Sequence, residues 1–183
     1  MAHHRTDQIP TEWSRLFRPG RRIVAIEHDC GARYHGQAYL KFDDGELLEA
    51  TAAEHNLAPL FDCFTLTVEP VSSSPHEEGT SIGDFEIQEA FALIRDEWLM
   101  PAPHLVGRTI GNNPHEQFHG RPGCAPAAAV ASSTMLGGVL VTSREGHQLA
   151  VTASLEVPLN VDVIQDRDEI ERILATHSRL RIE

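Results

Sequence analysis

The chain has 183 residues, 41% of them hydrophobic, which is enough to bury one sizeable core and favours one domain over two. Its 27 acidic and 15 basic side chains give a formal net charge of −12, which opposes binding to nucleic-acid phosphates and to anionic membranes. Three cysteines without paired spacing, a polar N-terminus and the lack of a long apolar run predict a cytoplasmic protein that does not cross a membrane.

The first third of the sequence predicts a meander of strands. Short runs of β-branched, aliphatic and aromatic residues alternate with groups of turn-forming residues. A short helix over residues 11–17 precedes these runs, and the tetrapeptide Asp43-Asp44-Gly45-Glu46 supplies a tight turn in which glycine takes a positive φ. The predicted strands cover residues 22–27, 34–42, 47–51 and 64–69.

The clearest helical pattern covers residues 85–99 and follows a polar loop near residues 72–81 that can divide the chain into two lobes. Four large apolar residues in this stretch recur at the spacing of one helix face. We therefore predict an amphipathic central helix. Its apolar stripe consists of Ile87, Phe91, Ile94 and Trp98.

The last third predicts a hairpin followed by a second helix. Residues 139–142 and 148–157 have the character of strands and flank a short loop that contains glycine. Asp166, with Glu169 three residues later, has the spacing of a capping box at the start of a helix over residues 167–178.

This order of elements predicts the fold class. Strands, a helix, an irregular middle, a hairpin and a helix follow one another without regular alternation, which is typical of an α+β protein. We expect a single α+β domain over residues 1–183 with a mostly antiparallel sheet and two main helices, the central one at 85–99 and the C-terminal one at 167–178. No repeat at a fixed period is visible in the sequence.

One pentapeptide spells a catalytic motif. The sequence His115-Glu116-Gln117-Phe118-His119 resembles the HExxH signature of zinc metallopeptidases. On a helix His115 and His119 would share a face and bind one Zn²⁺, while Glu116 would deprotonate the metal-bound water. The motif predicts a zinc-dependent hydrolase as the alternative function, with zinc as its cofactor. Candidate third ligands are His104, His147 and Glu156.

A cysteine nucleophile is another interpretation of the irregular middle and the first loop. Cys30 follows His28 by two residues, and Cys124 follows His119 by five, so a histidine near either thiol could favour the thiolate. A third interpretation is structural: the glycine- and proline-rich segments at residues 111–114 and 120–123 would form an ordered loop that acts as a recognition surface.

The acidic balance favours a function by binding, without a cofactor. We expect an inhibitor or immunity-type protein that neutralises a basic partner protein, because an acidic surface speeds encounter with a cationic one. The candidate contacts form two clusters, one in the first predicted hairpin turn and one at the start of the C-terminal helix. They are Asp43, Asp44 and Glu46, and Asp168, Glu169 and Glu171.

Overall fold

Antiparallel strands make up most of the protein in a computed structural model that describes residues 2–6, 8–28, 36–58, 61–74, 80–98, 130–154 and 160–183. Helices within these residues are α1 (Trp13–Leu16) and α2 (Arg167–Leu174), and neither is long and apolar enough to span a bilayer. The strands are β1 (Ala2–Thr6), β2 (Arg22–His28), β3 (Ala38–Phe42), β4 (Leu47–Ala58), β5 (Phe61–Val71), β6 (Thr80–Trp98), β7 (Val130–Ser143), β8 (Gln148–Ala153), β9 (Val161–Ile164) and β10 (Ser178–Arg181).

The predicted α+β fold with two main helices is wrong, because the expected central helix at residues 85–99 is the strand β6 as far as the structure describes it. This strand buries side chains on both of its faces: Ile87 lies in the main core, while Phe91 and Leu93 lie in a second apolar cluster. A bulge between Ile87 and Glu89 also shifts the alternation. Burial on both faces and the bulge together hide the period of two, so the remaining apolar spacing imitates a helix face.

Strands occur at the predicted positions on either side of β6, although β3 begins at Ala38 and β8 ends at Ala153, and the start of the C-terminal helix is confirmed. Both hairpin turns hold a glycine at positive φ, Gly45 at 86° and Gly146 at 84°. The side chain of Asp166 caps α2 by accepting a hydrogen bond from the backbone N–H of Glu169 at 2.9 Å. The helix ends at Leu174 because the chain turns there to form β10.

The strands form one continuous ladder that folds over itself. Its order is β5-β4-β3-β2-β6-β7-β8-β9, with β1 parallel to β7 and β10 antiparallel to β6. The first half of β6 pairs with β2, and its second half pairs with β7 and β10. Because β5 contacts β7, β4 contacts β8 and β3 contacts β9, two layers enclose the main apolar core between them.

The two halves of this ladder repeat the same register. We call β2–β5 the first arm, and the second half of β6 with β7–β9 the second arm. Each arm has a bulge at the same place in its first strand. Where the two arms meet, Arg22 of β2 is paired with Glu86 of β6, which occupies the equivalent position in the second arm. Equivalent cross-strand pairs are Ile23–Phe42 and Ile87–Ser143, Ile26–Leu40 and Ala90–Val141, Leu40–Leu48 and Val141–Leu149, and Ala52–Leu66 and Ala153–Val161.

This structural repeat lies beneath a sequence in which no repeat is visible. Inward-facing positions of both arms stay apolar because they share one core. Outward-facing positions differ in type, as described below, so few residues coincide. The coinciding pairs around the hairpin turns are Gly45 and Gly146, Leu48 and Leu149, Thr51 and Thr152, and Ala52 and Ala153.

Candidate binding surface and the predicted site residues

On the outer faces of the two arms, which point away from the shared core, one pair of equivalent rows carries opposite side-chain types. Each of these two rows consists of directly paired residues and crosses four strands. In the first arm this row is Glu27, Tyr39, Glu49 and Glu69. In the second arm the equivalent row is Phe91, Leu140, Ala150 and Ile164.

The apolar row of the second arm is covered by α2. Ile170 of this helix is buried, and Ile173 and Leu174 pack against the same cluster. The helix can lie there because its apolar residues fall on one side and its charged residues on the other. Removing this apolar face from water explains why the second arm carries a helix between β9 and β10.

The row of the first arm is polar, and we call its three glutamates Glu27, Glu49 and Glu69 the acidic row. The hydroxyl of Tyr39 lies 2.7 Å from a carboxylate oxygen of Glu49, and the hydroxyl of Ser74 donates to Glu27. Tyr39 itself is buried at 3% exposure, whereas Glu27 and Glu49 are partly exposed and Glu69 is exposed. Glu27 and Glu49 are therefore held in place by their neighbours, and all three glutamates reach solvent.

The first predicted contact cluster, in the β3–β4 turn, is engaged within the chain. The buried Arg21 guanidinium lies 2.9 Å from carboxylate oxygens of both Asp44 and Glu46, and Arg15 contacts Glu46 at 3.0 Å. The backbone N–H of Glu46 and the charge of Arg21 lower the pKa of Asp44. Asp43 is exposed at the start of the turn. Much of this cluster's negative charge is thus compensated by two arginines.

The second predicted contact cluster lies on the solvent side of α2. Asp168, Glu169 and Glu171 are all exposed, and Glu171 forms an exposed pair with Arg167 at 3.3 Å. Because α2 covers the second arm, these side chains and the acidic row lie on the outer faces of different arms. The structure does not join the two predicted clusters into one surface.

Most residues of the zinc and cysteine interpretations lie outside the described residues. Of the third-ligand candidates His147 is described, and its side chain is 74% exposed on the β7–β8 turn. The described part of the chain holds no group of three His, Cys, Asp or Glu side chains suited to a metal ion. The candidates outside the described residues are Cys30, His104, His115, Glu116, His119, Cys124 and Glu156.

A buried histidine joins α2 to β10. His177 is 8% exposed, and its Nδ1 lies 2.9 Å from the carbonyl oxygen of Ile173, so the proton sits on Nδ1 and is donated to that oxygen. Its Nε2 faces Gly137, where an added Cβ would come within 2.9 Å. Burial lowers the pKa of His177; the bond to Ile173 opposes this shift and the nearby charge of Arg95 adds to it.

This lowered pKa makes stability depend on pH. The unfolded chain takes up the proton of His177 at a higher pH than the folded chain does, so the free energy of unfolding is expected to fall as pH drops below the ordinary histidine pKa. His177→Gln should flatten this decline, measured by urea denaturation at several pH values. His147→Gln, which changes an exposed histidine, is the control. Equal pH dependence in wild type and His177→Gln would contradict the assignment.

Comparison with known proteins finds no matching family model, no matching curated protein and no matching solved structure. The function is therefore inferred from the chemistry of the surface alone.

The acidic row was missed in the sequence, although each predicted strand at 22–27, 47–51 and 64–69 contains one of its glutamates at a polar position of the alternation. Pairing these strands in register would have been needed to align them.

Proposed function

We propose that this is a cytoplasmic binding protein of the inhibitor or immunity type, whose acidic row contacts a basic surface of a partner protein. The observation that carries the proposal is the contrast between equivalent outer rows: the second arm buries an apolar row under α2, while the first arm presents Glu27, Glu49 and Glu69. A scaffold needs only the apolar core to fold, so the outward glutamates are available for a function of their own.

The arrangement of the acidic row costs stability by itself. Glu49 and Glu69 are directly paired on β4 and β5, and like charges in that position repel each other. A lysine or arginine of a partner, placed between the two carboxylates, would relieve this repulsion and gain a charge-assisted hydrogen bond. The surface is thus suited to a cationic side chain more than to a neutral one.

The charge of the whole molecule also favours association with a cationic partner. A net charge of −12 attracts a cationic protein over several ångströms beyond contact, which raises the association rate more than it lowers the dissociation rate. The acidic residues on α2 add to this field, and those of the β3–β4 turn add less because Arg15 and Arg21 compensate them.

The test reverses charge on the acidic row. With a basic partner identified by affinity capture from the source cell, Glu49→Lys with Glu69→Lys should slow association about tenfold or more in stopped-flow measurements, since two favourable charges become unfavourable. The matched control is Asp168→Lys with Glu171→Lys on α2, which makes the same change of net charge on two exposed residues.

The two pairs of variants separate local contact from the general field. If both slow association equally, charge acts only by steering and the acidic row is not the contact. If association of the wild type is insensitive to salt, or if no basic protein binds in stoichiometric amount, the proposal loses its physical basis. The melting temperature of the acidic-row variant should stay the same or fall slightly, because two directly paired lysines repel each other as the two glutamates did and the Tyr39 hydroxyl loses its contact with Glu49.

The zinc-dependent hydrolase stays a prediction of the pentapeptide. Its His115, Glu116 and His119 lie outside the described residues, so the geometry described here does not bear on it.

A further inference from the structure

Strand β10 presents an exposed edge at the end of the second layer. All four of its residues, Ser178–Arg181, are exposed, and Leu180 stands out among the described residues as a large hydrophobic side chain that is 47% exposed. The strand pairs with β6 on one side, and no described strand pairs with its other side. This edge therefore combines exposed backbone with an exposed apolar side chain.

The direction of the exposed backbone groups follows from the register. The N–H of Ile182 donates to the carbonyl oxygen of Ala90 at 3.0 Å. Leu180, two residues before Ile182, is paired with Ala92 of β6. In an antiparallel ladder, alternate residues direct their N–H and C=O groups to the same neighbour. The N–H and C=O groups of Arg179 and Arg181 thus point away from β6, at the spacing that another strand requires.

The side chains along this edge are basic, in contrast to the acidic protein as a whole. The guanidinium of Arg179 lies 5.6 Å from the centre of the Phe91 ring, and Nη2 of Arg181 lies 3.4 Å from a carboxylate oxygen of Glu89. These contacts place both arginines on the outer face, while Leu180 points to the opposite face. The two positive charges are held two residues apart along the edge.

We propose that the outer edge of β10 binds an extended segment of a partner protein with acidic side chains at alternate positions and an apolar side chain between them. Backbone hydrogen bonds to Arg179 and Arg181 would provide the affinity common to added strands. The acidic side chains would lie across from the two arginines on one face, and the apolar side chain beside Leu180 on the other. This inference does not depend on the acidic row.

A second copy of the chain fits this edge less well. Two β10 strands paired antiparallel would bring the exposed leucines together, but they would also place the arginines of one copy directly opposite those of the other. Directly opposed like charges destabilise a strand pair, and arginines on an edge commonly prevent such self-pairing. Charge complementarity therefore selects an acidic segment as the occupant.

The test titrates isotope-labelled protein with two capped peptides that differ only in charge, Thr-Glu-Val-Glu-Thr and Thr-Lys-Val-Lys-Thr. The glutamate peptide is expected to bind with a Kd of about 1 mM or tighter, to shift the amide signals of Ser178–Arg181, and to protect the amides of Arg179 and Arg181 from exchange. The lysine peptide should produce no saturable shift at this edge.

Two variants separate the backbone contribution from the charge contribution. Arg181→Pro removes an outward N–H and one of the two charges while leaving the hydrogen bonds to β6 in place, so the fold should persist and peptide binding should fall below that of the variant that lacks both charges. Arg179→Ala with Arg181→Ala keeps the backbone and should weaken binding of the glutamate peptide about tenfold.

Three results would overturn the proposal. The first is equal binding of both peptides, and the second is unchanged binding by folded Arg181→Pro protein. The third is a concentration-dependent dimer of the wild type, seen by sedimentation and abolished in Arg181→Pro, which would make the occupant a second copy. Amide spectra of each variant check that it is folded before the titration is interpreted.

Discussion

Ile87→Asp is expected to lower the free energy of unfolding by about 4 kcal/mol or more, which would leave little folded protein. Ile87 is 1% exposed and lies in the main core on β6, where it is the equivalent of Ile23 in the first arm. An aspartate there would either bury an uncompensated charge or take up a proton and still leave its polar oxygens among aliphatic side chains.

The measurement is urea denaturation followed by circular dichroism. Gln88→Asp is the matched control, because residue 88 is exposed and adjacent on the same strand. It should change the free energy of unfolding by no more than about 0.5 kcal/mol. Similar midpoints for the two variants would show that β6 does not face the core as described.

Arg21→Met is expected to lower the free energy of unfolding by about 2 to 3 kcal/mol. Nη1 of Arg21 donates to the carbonyl oxygen of Leu16 at 2.8 Å, its Nη2 contacts Asp44 and Glu46, and its guanidinium carbon lies 3.7 Å above the Phe42 ring. Methionine would keep most of the packing and lose every polar contact. The carboxylates left behind are partly exposed, so water limits the loss.

Arg15→Met provides the comparison for the Arg21 variant. Arg15 contacts the same Glu46 carboxylate at 3.0 Å, but its side chain is 58% exposed, so its loss should cost less than about 1 kcal/mol. Thermal melting of both variants at one pH gives the ranking. An equal or larger effect at Arg15 would show that the turn is not held mainly by the buried guanidinium.

Local patterns in the sequence predicted the hairpins of this protein well. Gly45 and Gly146 mark turns that need positive φ, and runs of apolar and β-branched residues flank both turns. The capping residue Asp166 is equally local, since its bond reaches only three residues along the chain. Features decided within a few residues can be recognised from those residues alone.

The features that were not predicted depend on contacts between distant segments. β6 resembles a helix in sequence because α2 buries its outer face, and that helix begins 69 residues after the end of β6. Arg21 contacts Asp44 and Glu46, which lie 23 and 25 positions later in the chain. The acidic row exists only once four strands are placed in register. None of these arrangements leaves a periodic signal in one stretch of sequence.

The position of β6 in both arms has a consequence for how the protein unfolds. One strand, β6, pairs with β2 of the first arm and is also the first strand of the second arm. Side chains from both arms fill one core. Neither arm can separate without breaking a ladder of the other, so the repeat does not produce two independent modules. We therefore expect one cooperative unit, in which a chain severed between β5 and β6 would yield two fragments that fold only on meeting each other.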